Sequence, residues 1–190
     1  MGLEIEAKLR VESHDPIRQK LAELGAEPLG TVMETNHILD VADGGLRSAG
    51  SGLRIRTSKP IDGDVPTTTL TYKGPVEEGP FKKRQELELE IGSSAKCLEL
   101  LAALGFTSVL VFKKRRESYA LDAARIELDE LPSLGRFVEI EAAQENTISS
   151  IQKQLGLGAL AHIRQSYAAL LADRHSPPDR EPLDDQSTTH

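Results

Sequence analysis

The chain opens in strict alternation. In LEIEAKLRV (3–11), Leu3, Ile5, Ala7, Leu9 and Val11 fall on one side and Glu4, Glu6, Lys8 and Arg10 on the other. A period of two predicts a half-buried β-strand, because successive side chains of a strand point to opposite faces. The same period recurs in GLRIRT (52–57), TTTLTYKG (67–74), KRQELELEI (83–91), SVLVFKKRRESYAL (108–121), ARIELDEL (124–131) and GRFVEIEA (135–142), and TNHILD (35–40) makes an eighth strand. Turn-forming clusters such as DGGLRSAGSG, KPIDGDVP, KGPVEEGP and LPSLG separate several of them.

Four segments carry helical spacing. Asp15 is read as the N-cap of the first and Pro16 as its first residue, with Ile17, Leu21 and Leu24 on one side and Gly25 as the stop. Ser93 and Ser94 start a second, AKCLELLAALG, ended by Gly105. TISSIQKQLG and RQSYAALLA are the third and fourth. Most strands follow one another without an intervening helix, which predicts a largely antiparallel sheet in an α+β protein and excludes a doubly wound one. One domain is expected over 1–172. The polar run 173–190, without apolar periodicity, reads as a disordered tail.

Composition narrows the function classes. A net charge of −7 argues against a general nucleic-acid or membrane-surface binder, because phosphate neutralisation needs a basic surface. The single cysteine, Cys97, excludes an internal disulfide or a cysteine-based zinc site. An acidic Glu4 and the lack of any long apolar run predict a soluble cytoplasmic protein without a secretory leader. The glycine-rich DGGLRSAGSG lacks the Gly-Lys-Ser/Thr ending of a P-loop and has no helix after it, so it is read as a flexible connection over a tunnel mouth. Ser166 and Tyr167 are read as packing residues of the last helix.

The polar strand faces hold the chemistry. They collect Glu4, Glu6 and Lys8; Arg54 and Arg56; Lys73; Arg84, Glu86 and Glu88; Lys114 and Arg116; Arg125, Glu127 and Asp129; Glu139 and Glu141. A solvent face would use more Thr, Ser and Gln. If the sheet closes into a barrel with helices outside, these charges meet in the lumen, and Leu3, Ile5 and Leu9 pack outward. Closed barrels of about eight strands have room for one small ligand. Buried charge demands pairing or a charged ligand. Clustered Arg and Lys suit a polyphosphate. Clustered carboxylates without Cys or a His cluster suit a hard cation such as Mg²⁺ or Mn²⁺.

The order EIEAK, LRIR, YKGP, RQELE, KKRRESY, IELD with LGRFVEIE, and a late SYAALL resembles the CYTH superfamily, the triphosphate tunnel metalloenzymes. This family includes class IV adenylyl cyclases, thiamine triphosphatases and inorganic triphosphatases. The resemblance implies an eight-stranded antiparallel β-barrel tunnel with flanking helices and a charged lumen. It implies that Glu4, Glu6, Glu139 and Glu141, with Asp129, hold a divalent metal. Lys8, Arg54, Arg56, Lys73, Arg84, Lys114 and Arg116 would bind the triphosphate, with Glu86 and Glu88 beside them. Two departures stand out: Ile38 occupies a position where members often carry Tyr, and KKRR allows two registers, of which Lys114 and Arg116 are preferred from their spacing to Tyr119. The expected substrate is a nucleoside triphosphate, thiamine triphosphate or inorganic tripolyphosphate. A triphosphatase is the first reading, a cyclase making cAMP and pyrophosphate the second, and a non-catalytic polyphosphate binder the third. Lys73 or Lys8, with a pKa lowered by neighbouring cations, is the candidate general base. The sequence leaves monomer and homodimer both open.

Overall fold

The computed structural model describes residues 2–63 and 65–175. Eight strands, β1 (Gly2–Val11), β2 (Glu27–Val41), β3 (Gly52–Pro60), β4 (Thr67–Lys73), β5 (Lys82–Glu90), β6 (Phe106–Leu121), β7 (Ala124–Leu131) and β8 (Gly135–Ala142), form a closed barrel. Every neighbouring pair is antiparallel, in the order β1-β5-β4-β3-β2-β6-β7-β8. Closure is made by β1 against β8, with Glu6 opposite Glu141 and Lys8 opposite Glu139.

The usual inside-out arrangement is inverted. The apolar faces of β1, β7 and β8 look outward and are covered by α1 (Asp15–Glu23) and α4 (Glu145–Gln154): Ile5, Leu9, Ile126, Leu128, Val138 and Ile140 share a core with Ile17, Leu21, Ile148 and Ile151. On the far side α3 (Ser94–Ala103) lays Leu101, Leu98 and Cys97 over Leu39 and Ile55. At about 25 cal/mol per Å², burying such side chains gives roughly 1.5–3 kcal/mol each, so the helices on the outside hold the barrel closed around a polar interior. Leu3 departs from this: it is half exposed and stands outside that core.

A last helix, α5 (Tyr167–His175), lies across one end of the barrel. Tyr167 and Leu171 pack there on Phe137, Leu131 and Leu134, with Phe112 and Leu110 alongside. The segment before α5 is pinned to β1 by the Ile163 N–H donating to the Lys8 carbonyl at 2.8 Å. Arg164 clasps the β4–β5 connection through the carbonyls of Gly79 and Glu77. The expected disordered stretch 173–190 begins with three residues of α5 and beyond His175 lies outside the described residues.

Local departures from the expected elements have simple causes. Helix α1 is capped at His14, not Asp15, which is its first residue. The His14 Nε2 is held by the Phe137 carbonyl at 3.0 Å, and the Ser13 hydroxyl accepts from the Asp15 N–H at 3.1 Å. Strand β2 starts eight residues before TNHILD. Its first half is interrupted by Pro28 and by Gly30, whose φ of 114° and register shift hide the alternation. The glycine-rich connection is a built turn. Residues Gly45–Ser48 form a short helix, α2, whose Leu46 and Arg47 N–H groups donate to the Asp40 carboxylate at 2.9 and 3.1 Å. Since β2 ends and β3 begins there, this connection stands at the α5 end of the barrel, away from the wide mouth.

Candidate active site

Alternation puts one face of each strand into the lumen. A cavity of about 1140 Å³ opens at the end opposite α5 and is bordered by Glu4, Glu34, Arg54, Arg56, Lys73, Glu86, Glu88, Arg116, Glu127 and Glu141. The KKRR register is settled: Lys114 and Arg116 are buried inside, whereas Lys113 is exposed.

One wall is acidic. Glu4 and Glu6 share a face of β1, and β8 brings Glu141 beside them, so that one oxygen from each carboxylate lies within 4.8 Å of the others. Glu4 accepts from Lys73 at 2.9 Å through both oxygens and from Arg84 Nε at 3.3 Å. Burial pushes Glu4 up, but Lys73 and Arg84 outweigh it and hold the carboxyl at about 2. Glu6 is paired with Lys82. Among the described residues Glu141 has no such partner. Burial first, and then the Glu139 charge, push it to about 7. A carboxyl in that state relaxes when a cation arrives. Three hard oxygen donors, with no sulfur or imidazole among them, fit a divalent ion of the Mg²⁺ or Mn²⁺ type.

The facing wall is basic. Arg54 Nη2 reaches the Thr71 hydroxyl at 3.5 Å, which in turn donates to Glu88 at 2.9 Å; Arg56 Nη1 lies 3.5 Å from Glu34. The Nε atoms of both arginines are buried and, among the described residues, have no hydrogen-bond partner. Unpaired buried donors of this kind cost about 1–3 kcal/mol until an acceptor meets them. Burial, and then Arg56, lower Arg54 to about 10.

The floor is neutralised. Arg116 Nε and Nη2 grip Asp129 at 2.7 and 2.6 Å, and the same Nη2 pairs with Glu139. Lys114 lies 2.8 Å from Asp129 and 3.6 Å from Glu34; Lys8 lies 3.2 Å from Glu139. The Tyr167 hydroxyl donates to Asp129 at 2.9 Å, and its ring receives the Lys8 and Lys114 ammoniums at 4.1 and 5.0 Å. Glu139 is held well below the carboxylate range: burial opposes, but Lys8 and Arg116 win.

Among the sequence candidates, Glu4, Glu6 and Glu141 therefore come together, whereas Glu139 and Asp129 stand apart from them in closed ion pairs. The surroundings expected for Lys73 and Lys8 are corrected. Neither is ringed by arginines alone: Lys73 lies between Glu4 and Glu86 at 2.9 and 2.7 Å, and Lys8 between Glu139 and the Gln165 carbonyl at 3.2 and 3.0 Å. Glu86 is pushed up by burial and by Glu4. Two charged lumen residues escaped the sequence reading. Lys82, two positions before Arg84, would have appeared had the alternation of β5 been carried one step back. Glu34 lies on the half of β2 that Gly30 obscures.

A closed antiparallel barrel with a charged lumen, an acidic triad on one wall and arginines on the other defines a class of tunnel protein built to hold a charged ligand. The chain belongs to the CYTH domain family, whose profile matches residues 2–167. It is 27% identical over 177 residues to a Methanocaldococcus jannaschii protein provisionally named an adenylate cyclase, covering 88% of this chain and 98% of that protein. The solved structure of PH1819 from Pyrococcus horikoshii superposes with a TM-score of 0.76 at 30% identity, over 90% of this chain and 99% of that one. A Hippeastrum protein provisionally classed as an adenylyl cyclase, and described with a dominant triphosphatase activity, shares the fold at a TM-score of 0.66 and 20% identity, over 94% and 98% of the two chains. Among the described residues no helix is long and apolar enough to cross a membrane.

Proposed function

We propose that the protein is a metal-dependent triphosphatase that hydrolyses the terminal phosphoryl group of a triphosphate held in the lumen. The observation that carries this reading is the pair of opposed walls: the Glu4, Glu6 and Glu141 carboxylates across the cavity from the partnerless Nε atoms of Arg54 and Arg56. Glu4, Glu6 and Glu141 would hold the divalent ion, which when bound supplies Lewis-acid charge neutralisation at phosphoryl oxygens. Arg54 and Arg56 take non-bridging oxygens in bidentate fashion. Lys73, Arg84, Lys114 and Arg116 extend that grip, each exchanging part of a carboxylate partner for phosphate. Lys8 and Lys73 act here as phosphate ligands. Water attacks the terminal phosphorus, the bond to the bridging oxygen breaks, and diphosphate leaves; the protein's part is positioning and charge stabilisation.

Hydrolysis needs only a phosphate grip and a water, both of which this lumen can supply. A specific observation favours a second reading, a cyclase in which the ribose 3′ oxygen attacks the α-phosphorus: the M. jannaschii relative carries a cyclase name. One assay separates them. With Mg²⁺ or Mn²⁺ and, in turn, tripolyphosphate, ATP and thiamine triphosphate, the expected product is inorganic phosphate. Release of cAMP and pyrophosphate from ATP without phosphate would replace the reading by the cyclase. Tight binding of all three without product would make the protein a polyphosphate-binding module.

A further inference from the structure

We infer that Arg125 is the specificity residue of the cavity mouth: its guanidinium plane stacks on a neutral aromatic ring carried by the phosphate chain, which makes nucleoside triphosphates the preferred ligands over chains without a ring. The inference deepens the reading above and rests on the lumen holding the phosphate chain.

The cations bordering the cavity are of two kinds. The side chains of Arg54, Arg56, Lys73 and Arg116 are 20% exposed or less, whereas that of Arg125 is 54% exposed. On β7 Arg125 stands four residues nearer the mouth than Asp129, about 13 Å at the rise of a strand. It is exposed but not loose. Its Nε donates to Glu127 and its Nη2 to the Ser118 hydroxyl at 3.4 Å, while Ser118 donates to Glu127 at 2.5 Å. Glu127 and Ser118 are themselves buried. These hydrogen bonds lie along the edge of the guanidinium, so they set the orientation of its plane and leave the faces for other contacts. The Glu127 carboxylate also offsets the Arg125 charge, which suits the side chain to stacking more than to gripping phosphate.

The neighbouring strands make room beside it. In register Arg125 lies opposite Ala120 of β6 on one side and Glu141 of β8 on the other. The Glu141 side belongs to the acidic triad. The Ala120 side continues to Gly30 and Val32 of β2, which also border the cavity, and no atom lies within 4 Å of where a Cβ at Gly30 would stand. That side is small, neutral and open, so a flat ring fits against the guanidinium there. A guanidinium attracts the π-face of a neutral ring and is a platform on which nucleobases stack. A cationic ring, such as that of thiamine, gains no such attraction, and an inorganic chain has no ring to offer.

The test uses cleavage-resistant bismethylene analogues of ATP and of methyl triphosphate, which match in phosphate charge and differ in the ring. Both are titrated calorimetrically into the full chain with Mg²⁺ present. The ATP analogue is expected to bind at least about tenfold more tightly. Arg125→Ala should bring the two within about threefold of each other and leave the methyl analogue within about twofold of its starting affinity. Arg125→Lys keeps a cation beside Glu127 but not the plane, and should lose the preference as well. Equal binding of the two analogues by the unaltered protein, a preference kept by the lysine variant, or an equal loss of both ligands in Arg125→Ala would overturn the inference. Phosphate release from tripolyphosphate is recorded in parallel. Its absence with the Arg125-dependent preference intact would remove the triphosphatase reading and leave this inference standing, whereas its presence with equal binding would do the reverse.

Discussion

The lumen holds two groups of carboxylates that the sequence presents alike and the structure treats differently. Glu139 and Asp129 sit on the floor, each against arginine and lysine, with Tyr167 completing the shell. Glu4, Glu6 and Glu141 sit nearer the mouth, where the nearby cations serve the first two and leave Glu141 short. On the floor each carboxylate has its counter-charge, so the pairs act as structure. On the wall Glu141 is left without an ion-pair partner among the described residues, and an unpaired carboxylate is what a cation answers. Counting carboxylates in a lumen does not find a metal site; subtracting their partners does.

The contrast can be broken most forcefully on the floor. Arg116→Ala strands Asp129 and Glu139 in a buried setting, which costs about 3–5 kcal/mol in such cases. Urea unfolding should show a loss of that size, together with loss of triphosphate turnover, and an unchanged midpoint would mean the floor pairs are not structural. Glu139→Gln is expected to destabilise too, whereas Glu141→Gln should leave the metal-free protein as stable as before or slightly more so, and weaken Mg²⁺ or Mn²⁺ binding at least about tenfold in a titration. Equal effects of the two substitutions would erase the distinction.

A pH series sharpens it. The Glu141 carboxyl is raised in the folded state from 4.5 to about 7, so its stabilising contribution is complete below 4.5 and is lost as pH climbs through about 7. Glu4 and Glu34, lowered to about 2, contribute above 4.5 and lose that contribution as pH falls toward 2. For the metal-free protein the melting temperature should therefore fall as pH rises from about 4.5 to 7, Mg²⁺ should lift it, and Glu141→Gln should flatten the fall. A melting curve insensitive to both would mean Glu141 ionises normally. The smallest effect is expected of Tyr167→Phe. It keeps the ring under Lys8 and Lys114 but removes the hydroxyl bond to Asp129, about 1 kcal/mol, and leaves the metal titration unchanged; a weakened metal titration would join the floor to the acidic wall.

Much of the fold was legible because a strand's period of two survives in single sequence. The alternations of β1, β5, β7 and β8 each name a charged face, and the inverted packing followed from the apolar residues needing helices on the other side. Where a local device broke the period, the reading stopped: Gly30 and the bulge beside it concealed Glu34, and the turn before β5 concealed Lys82. The small α2 turn was invisible because the carboxylate that receives its Leu46 and Arg47 N–H groups, Asp40, belongs to the preceding strand.

By itself, then, the sequence determined which side chains share a face, since that depends only on neighbours two residues apart. It could not determine how the charges divide. Glu6 meets Glu141 and Tyr167 meets Asp129 only because β8 closes on β1 and α5 folds back across the barrel's end. Pairing is set by distances of a few ångströms between residues far apart in the chain, and those distances exist only once the barrel is closed.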